Sequence, residues 1–240
     1  MSNENLALWE SVEKTNTKYT KPATVNGRTF TSITPTYQQK MATQAFGPRG
    51  KFWGTVPESE TFEYKEIGNT TLLIYRATFF YIYKGDRGEL PMGATETMAY
   101  ITKGGKGYLK IDDEADKKVR TSAVSKVLSE LGFNADIFMG LFDDYDYKNL
   151  REMESQIEHA ENREKAIDIK LTECQNWLNK EIEAIKTLTN ANVVTTVTNS
   201  TDNRLMQKLS ILSISDETKK EMQQNLYNVA QQTIDKLNNK

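Results

Sequence analysis

The sequence has very little of the chemistry that builds disulfides and metal sites, with one cysteine, Cys174, and one histidine, His159, among 240 residues. A single cysteine cannot form an internal disulfide, and one cysteine with one histidine cannot complete a zinc site. The N-terminus lacks the basic and apolar stretches of a secretory signal, and no run reaches the roughly 18 apolar residues of a membrane span. We therefore expect a soluble protein of the cytoplasm, in a reducing compartment and without membrane contact.

Short motifs that mark common enzymes are also missing. The sequence has no GxxxxGKS or GxxxxGKT phosphate loop, no GxSxG and no HExxH. The acidic run at 112–116 is explained better as the capped first turn of a helix than as a Mg²⁺ site, and the glycine-rich segment 103–107 is interpreted as a flexible basic turn. His159 is expected on the surface and Cys174 on an apolar stripe. We expect no enzymatic activity, no cofactor and no metal.

The formal net charge of -2 conceals two different halves. Residues 1–142 carry 18 basic and 16 acidic side chains, whereas residues 143–240 carry 13 and 17. Between Glu13 and Glu58 there is no acid, and the basic residues of this block are Lys14, Lys18, Lys21, Arg28, Lys40, Arg49 and Lys51. On its own the block is typical of a solvated surface, and it leaves a polyanion site open.

Patterning predicts an α+β fold. The segments 51–66, 70–84 and 93–102 are rich in β-branched and aromatic residues, which favours an antiparallel meander with 70–84 as its central strand. A four-residue apolar step then predicts a main helix that starts near residue 115, packs on the sheet and ends at Gly132. The expected elements before the meander are a helix at 6–14, an irregular basic stretch, a strand at 29–33 and a helix at 36–46.

The chain divides into four expected regions. Residues 1–146 form the sheet-and-helix core, and 147–188 carry an apolar stripe spaced by three and four residues, which predicts a long coiled-coil-like helix. Residues 189–204 are rich in Thr, Asn, Val and Ser and are interpreted as a linker. Residues 205–240 are expected to form a small helical C-terminal region.

Two separated segments resemble a known family. Residues 37–54, YQQKMATQAFGPRGKFWG, resemble the helix, FG turn and GW strand of the Rad fifty-two superfamily of single-strand annealing proteins. Residues 113–134, DEADKKVRTSAVSKVLSELGFN, resemble the main helix of that family, and the continuation at 135–140 is similar to its phage branch of Erf and Sak type. The resemblance covers roughly residues 6–144.

The resemblance implies a β-β-β-α core that assembles into a ring, with a basic groove that holds one DNA strand. It places Lys126 of the main helix and Lys106 of the preceding loop on the groove floor, and Lys84 at a second, outer contact. Ser125 and Ser129 stand where eukaryotic members carry basic residues, so compensation is expected from Lys117, Lys118 or Arg120. Five further cations complete the candidate set. Arg49, Lys51, Lys103 and Lys110 are interleaved with aromatic residues in the sequence, and Arg76 lies in the central strand.

The expected function is therefore ATP-independent binding and annealing of single-stranded DNA in homologous recombination, by a phage-encoded protein. Expected partners are single-stranded DNA, the annealed duplex intermediate and copies of the same chain in a ring or helical filament. A host single-stranded-DNA-binding protein or a phage exonuclease is a further expected partner. The alternatives are a non-enzymatic oligomeric scaffold or recombination mediator, and a nuclease, which requires a carboxylate cluster with a metal.

Overall fold

The computed structural model describes residues 4–25, 27–102 and 107–239. The chain forms two compact units, Met1–Asp143 and Asp144–Lys240, so the first unit ends three residues before the predicted boundary at 146. Antiparallel strands and helices confirm the α+β class. None of the helices in the described ranges has the length and apolar character needed to cross a bilayer.

The first unit contains seven strands and four α-helices within its described residues. Its helices are α1 (Ala7–Val12), α2 (Pro35–Phe46), α3 (Ala115–Glu130) and α4 (Ala135–Phe138). Its strands are β1 (Thr20–Val25), β2 (Arg28–Ile33), β3 (Trp53–Thr55), β4 (Thr61–Ile67), β5 (Thr70–Tyr83), β6 (Asp86–Ile101) and β7 (Leu109–Ile111). Short 3-10 turns lie at Glu4–Leu6, Thr17–Tyr19, Pro57–Ser59 and Leu141–Asp143.

Strand β5 is the central strand of a five-stranded antiparallel sheet, as the sequence predicts. β3 and β4 pair with one of its edges, β6 pairs with the other, and β7 extends the sheet beyond β6. The predicted alternation is confirmed, because Leu73, Tyr75 and Phe79 are buried beneath α3 while Leu72 and Ile74 on the opposite face are half-buried. We call these the helix face and the outer face of the sheet.

Strand β6 begins at Asp86, seven residues before the predicted start at 93. Gly88 and Pro91 weaken the strand pattern of this segment, but the tight turn at Lys84 and Gly85 pairs it with β5 from Tyr83 onward. Gly88 is required there, because a Cβ atom on it would lie 2.4 Å from Cζ of Tyr81. Tertiary pairing therefore overrides the local preference of residues 86–92.

The basic stretch that was expected to be irregular forms a strand instead. β1 pairs antiparallel with β2 from Thr20 opposite Ile33 to Val25 opposite Arg28. Threonine hydroxyls of Thr24 and Thr29 lie 3.1 Å apart across the pair. β-branched residues on both strands favour this hairpin, which the basic composition masked in the sequence.

Gly132 ends α3 as predicted, and both its backbone conformation and its neighbours favour glycine at this position. Its φ is +94°, and a Cβ atom on it would lie 2.6 Å from Cδ2 of Trp9.

We expect Gly132→Ala to lower the free energy of unfolding by about 2 kcal/mol, since it combines a left-handed backbone with a clash against a ring. Urea unfolding followed by circular dichroism measures the loss. Gly140→Ala is the control, because Gly140 has φ +74° and a Cβ atom on it would lie 3.7 Å from Oδ2 of Asp143, without a clash, and an equal loss in both variants would contradict the role of Trp9.

The second unit is a bundle of four helices, which corrects two predictions. The helices are α5 (Tyr145–Glu158), α6 (Arg163–Lys186), α7 (Ala191–Ile211) and α8 (Asp216–Asn238). The expected long helix at 147–188 is broken at 159–162, where Asn162 starts α6 by accepting a hydrogen bond from Lys165 N. The expected linker at 189–204 is most of α7, because Val194, Thr198 and Leu205 form a buried stripe whose packing outweighs the low helix propensity of its Val and Thr residues.

Candidate nucleic-acid interface

Four cations lie over aromatic rings at the end of the sheet where β5 turns into β6. Arg49 Cζ is 5.4 Å from the ring centroid of Trp53, and Lys51 Nζ is 5.2 Å from that of Phe52. Lys84 Nζ is 5.5 Å from the centroid of Tyr83, and Arg87 Cζ is 4.5 Å from that of Phe80. We call this set of eight residues the hairpin-end cluster.

Backbone hydrogen bonds hold the loop 47–52 against the β5–β6 hairpin. Ile82 N donates to Phe52 O at 2.7 Å, and Trp53 pairs with Tyr81 in the sheet register. The loop itself is closed by Gly50 N, which donates to Trp53 O at 2.7 Å, and by the indole N–H of Trp53, which donates to Gly47 O at 3.0 Å. The loop cations and the hairpin cations therefore lie at the same end of the sheet.

The hairpin-end cluster has an excess of positive charge. Within the described ranges, Arg49, Lys51 and Lys84 form no ion pair with a carboxylate, and Arg49 instead donates to the amide oxygen of Gln39 at 3.3 Å. Arg87 is paired with Glu89 at 2.7 Å. Stacking on rings holds long side chains extended without consuming their charge, so the cations remain free to contact phosphates.

The rings of the cluster serve mainly as supports for the cations. Trp53 is fully buried and Phe80 is 8% exposed, so neither can offer a face to a nucleobase. Phe52 and Tyr83 are half-buried. This distribution suits contact with a sugar-phosphate backbone rather than extensive stacking of bases.

The main helix α3 presents a less open basic face than the sequence suggests. Its expected compensating cations are each bonded to an acid: Lys117 to Glu114 at 3.0 Å, Lys118 to Asp112 at 2.6 Å and Arg120 to Glu60 at 2.9 Å. The hydrogen bond from Lys118 lowers the pKa of Asp112, so this carboxylate stays ionised and keeps its partner. A phosphate must displace these acids, although exposed pairs of this kind are weak.

Lys126 is the candidate on α3 that stays open. It is exposed and forms no ion pair with any residue in the described part of the chain. Ser122 and Ser125 are turned inward, where their hydroxyls donate to Glu96 at 2.9 Å and to the buried Gln38 at 2.6 Å. The serines therefore tie the helix to β6 and α2 and do not belong to a groove surface.

Other predicted cations lie elsewhere. Arg76 is on the outer face in the middle of β5 and is paired with Glu63 at 2.9 Å. Lys110 lies over Tyr100, 5.9 Å from its centroid, at the end of the sheet opposite Lys84 and about 40 Å from it along the strands. Lys103 and Lys106 lie outside the described residues.

Sequence reasoning missed Arg87 and Lys40. Arg87 stands before the predicted start of its strand at 93, and a strand that starts at residue 86 places it opposite Ile82 on the outer face. Lys40 Nζ lies 5.6 Å from the centroid of Tyr19, which is itself stacked on Tyr37 at 4.3 Å. Lys40 is one of the basic residues of the acid-free block, so its charge was visible in the sequence. Its contact with the ring of Tyr19 was not, because that residue comes from a distant segment.

Arg120 has a structural role that the sequence did not indicate. Its guanidinium donates to both carboxylate oxygens of Glu60, which also accepts from the hydroxyl of Tyr75 at 2.9 Å. The same guanidinium lies 4.8 Å from the centroid of Phe62. Arg120 therefore connects α3 to the segment that leads into β4.

Ionisation of the Tyr75 hydroxyl makes the stability of the fold depend on pH in the alkaline range. Burial, and then the hydrogen bond to Glu60, raises the pKa of Tyr75 above 10.0. The folded state holds this proton more tightly than the unfolded state, so the contribution to stability is fully present below pH 10.0 and is lost as pH rises through the raised pKa. We expect the unfolding free energy of the Tyr75→Phe variant to fall less than that of the unmodified protein between about pH 9 and 11. This window of about two pH units spans the ionisation of the tyrosine hydroxyl. Tyr108→Phe, at a site 69% exposed, is the control, and an unchanged alkaline slope in Tyr75→Phe would contradict the assignment.

Cysteine and histidine sit where the sequence places them, with Cys174 buried at 4% exposure and His159 exposed after the last turn of α5. Burial raises the pKa of the Cys174 thiol. In the described ranges there is no group of three or more His, Cys, Asp or Glu side chains able to hold a metal ion.

No protein-family model matches this chain, and no curated protein matches its sequence.

Proposed function

We propose that the protein binds and anneals single-stranded DNA without ATP, in homologous recombination. The hairpin-end cluster carries this proposal, because it gathers four extended cations at one end of the sheet and leaves three of them without a carboxylate partner in the described residues. The resemblance of residues 37–54 and 113–134 to single-strand annealing proteins supports it, since the first of these segments supplies two of the four cations. Phage origin and a cytoplasmic location belong to the same proposal.

Annealing requires no chemical catalyst. Base pairing and stacking supply the free energy once two complementary strands meet, and the protein has to reduce the repulsion between phosphates and keep each strand extended. Cations held on buried rings neutralise phosphates, and they leave the edges of the bases available for pairing. Binding of this kind is independent of sequence and falls steeply with salt.

The second unit supports a separate role in recognition of proteins. Its core, from Ile157 to Ala230, is distinct from that of the first unit, and residues 144–240 carry three more acids than bases. A surface of this charge does not attract DNA. Within the proposal it docks a host single-stranded-DNA-binding protein or a phage exonuclease, or regulates assembly. The alternative function, an oligomeric scaffold or recombination mediator, rests on this unit alone.

A direct assay separates the candidates. Two complementary fluorescently labelled oligonucleotides are mixed without ATP or Mg²⁺, and duplex formation is timed with and without the protein. Acceleration supports annealing, and an unchanged rate leaves the scaffold as the better function. Loss of strands after Mg²⁺ is added indicates a nuclease and contradicts the proposal.

A further inference from the structure

Both edges of the five-stranded sheet carry short strands that are open to solvent. All seven residues of β4 are exposed, with Tyr64 at 62%, and in β7 Leu109 and Ile111 are each 60% exposed. Among the described residues β4 pairs only with β5, and β7 pairs only with β6. Unpaired edges with apolar side chains are templates for another strand, and stable monomers usually protect them.

Neighbouring stretches of the same two edges are less suited to pairing with another strand. The outer side of β3 is covered by its own loop through the hydrogen bond from Gly50 N to Trp53 O and a bridge between Arg49 and Trp53. On the other side, the part of β6 beyond β7 contains Pro91, which has no N–H to donate. β4 and β7 are therefore the edge strands best suited to pairing with a second copy.

The directions of the strands allow these two edges to join. Every neighbouring pair in the sheet is antiparallel, so β4 and β6 run one way while β5 and β7 run the other. If β7 of one copy lies beside β4 of a second copy, with both main helices on the same side, the two strands are antiparallel. The junction then continues the ladder already present within each copy.

The faces of the two strands restrict the register. Lys110 lies over Tyr100 on the outer face, so Leu109 and Ile111 point to the helix face. In β4 the outer-face residues are Thr61, Glu63, Lys65 and Ile67, and the helix-face residues include Phe62 and Tyr64. Because faces must match across a continuous sheet, Lys110 must lie opposite one of these four outer-face residues.

Only one of these four registers is complementary at every position. With Lys110 opposite Glu63, opposite charges meet on the outer face, and Leu109 meets Tyr64 and Ile111 meets Phe62 on the helix face. With Lys110 opposite Lys65, like charges meet and Leu109 faces Glu66. With Lys110 opposite Thr61, the charge of Lys110 has no partner. With Lys110 opposite Ile67, the charge faces an apolar side chain and Ile111 faces Glu66.

We propose that the β7 edge of one copy pairs with the β4 edge of the next copy, in the register Leu109–Tyr64, Lys110–Glu63 and Ile111–Phe62. Such a contact uses different surfaces on the two copies, so repetition produces a closed ring or a helical filament. The inference rests on the sheet edges and does not depend on DNA binding. A two-fold pairing of β4 with β4 is the rival arrangement, and it leaves Leu109 and Ile111 exposed. Centred on Tyr64 it places Phe62 against Glu66, and centred on Glu63 it places Glu63 against Glu63.

Cysteine cross-linking tests the register. In the full chain carrying both Tyr64→Cys and Leu109→Cys, mild oxidation is expected to give a ladder of dimers, trimers and larger species on a non-reducing denaturing gel. The native Cys174 is buried and does not contribute. The matched control is Tyr64→Cys with Lys110→Cys, whose side chains lie on opposite faces, and it should give about tenfold less product. Equal dimer from Tyr64→Cys alone, or no ladder from the double variant, would overturn the proposal.

Charge reversal gives an independent readout in the absence of DNA. Lys110→Glu should raise the dissociation constant of the oligomer in sedimentation velocity by about tenfold, because repulsion replaces attraction at the junction. Addition of Glu63→Lys to the same chain should restore it to within about threefold. Failure of the second change to rescue the first would refute the pairing of these residues.

Loss of cross-linking with intact strand binding refutes only the edge pairing, and loss of strand binding with intact cross-linking refutes only the proposed function.

Discussion

Replacement of Arg49, Lys51 and Lys84 by glutamine should weaken binding of single-stranded DNA about 100-fold at 0.1 M salt. A cation that neutralises one phosphate of a single strand contributes roughly 0.7 to the slope of log K against log salt, so three such cations contribute about 2. At 0.1 M salt a slope of that size corresponds to about two decades of affinity. Fluorescence anisotropy of a labelled oligonucleotide, repeated over a series of salt concentrations, measures both quantities.

The matched control is the double variant Lys180→Gln and Lys220→Gln. Both lysines are exposed in the acidic second unit and form no ion pair in the described part of the chain, so their loss removes charge without touching the hairpin-end cluster. Its affinity should stay within about twofold of the unmodified protein, since only long-range attraction changes and salt screens it. Glutamine keeps the length of the side chains, so the triple variant should retain its fold by circular dichroism. An unchanged salt slope in a folded triple variant would show that the strand binds elsewhere.

The sheet was largely predictable because its central strand carries a clear signal. Two-fold alternation over Leu72 to Tyr83 settles both faces, and it does so without knowledge of the neighbouring strands. The first part of strand β6, residues 86–92, was not predicted, because Gly88 and Pro91 interrupt its alternating pattern. Pairing with β5 fixes this segment as a strand. Helix α7 was missed for the opposite reason. Its residues have weak helix propensity, and the packing of Val194 and Leu205 against the other helices supplies what propensity lacks.

The candidate site was predictable in its residue types and only partly in its geometry. Arg49 and Lys51 were identified because they flank aromatics in the sequence, and the structure places these cations over those same rings. The ion pairs of Lys118 and Arg120 could not be foreseen, because their acids come from other elements. Arg120 shows the difficulty well, since Glu60 is sixty positions away and becomes a neighbour only when α3 packs on the sheet.

Equivalent core substitutions in the two units should destabilise different halves of the chain. Leu128 and Leu205 are both fully buried, and each belongs to a core whose members come from its own unit. Truncation of either leucine to alanine removes apolar contacts and leaves a cavity, which costs about 3 kcal/mol. That is a large fraction of the roughly 5–15 kcal/mol that stabilises a domain, so local unfolding in the affected unit should increase by about two decades.

Hydrogen exchange followed by mass spectrometry assigns the loss to a unit. Leu205→Ala should accelerate exchange in peptides from 144–239 and leave the buried strand β5 as protected as before, whereas Leu128→Ala should do the reverse. Because the hairpin-end cluster belongs to the first unit, Leu205→Ala should also keep the salt slope of strand binding, and Leu128→Ala should lose binding at the temperature where β5 loses protection. Faster exchange in both units after either substitution would mean that the two cores unfold as one cooperative structure, and the acidic helical unit would then be needed to keep the strand-binding surface folded.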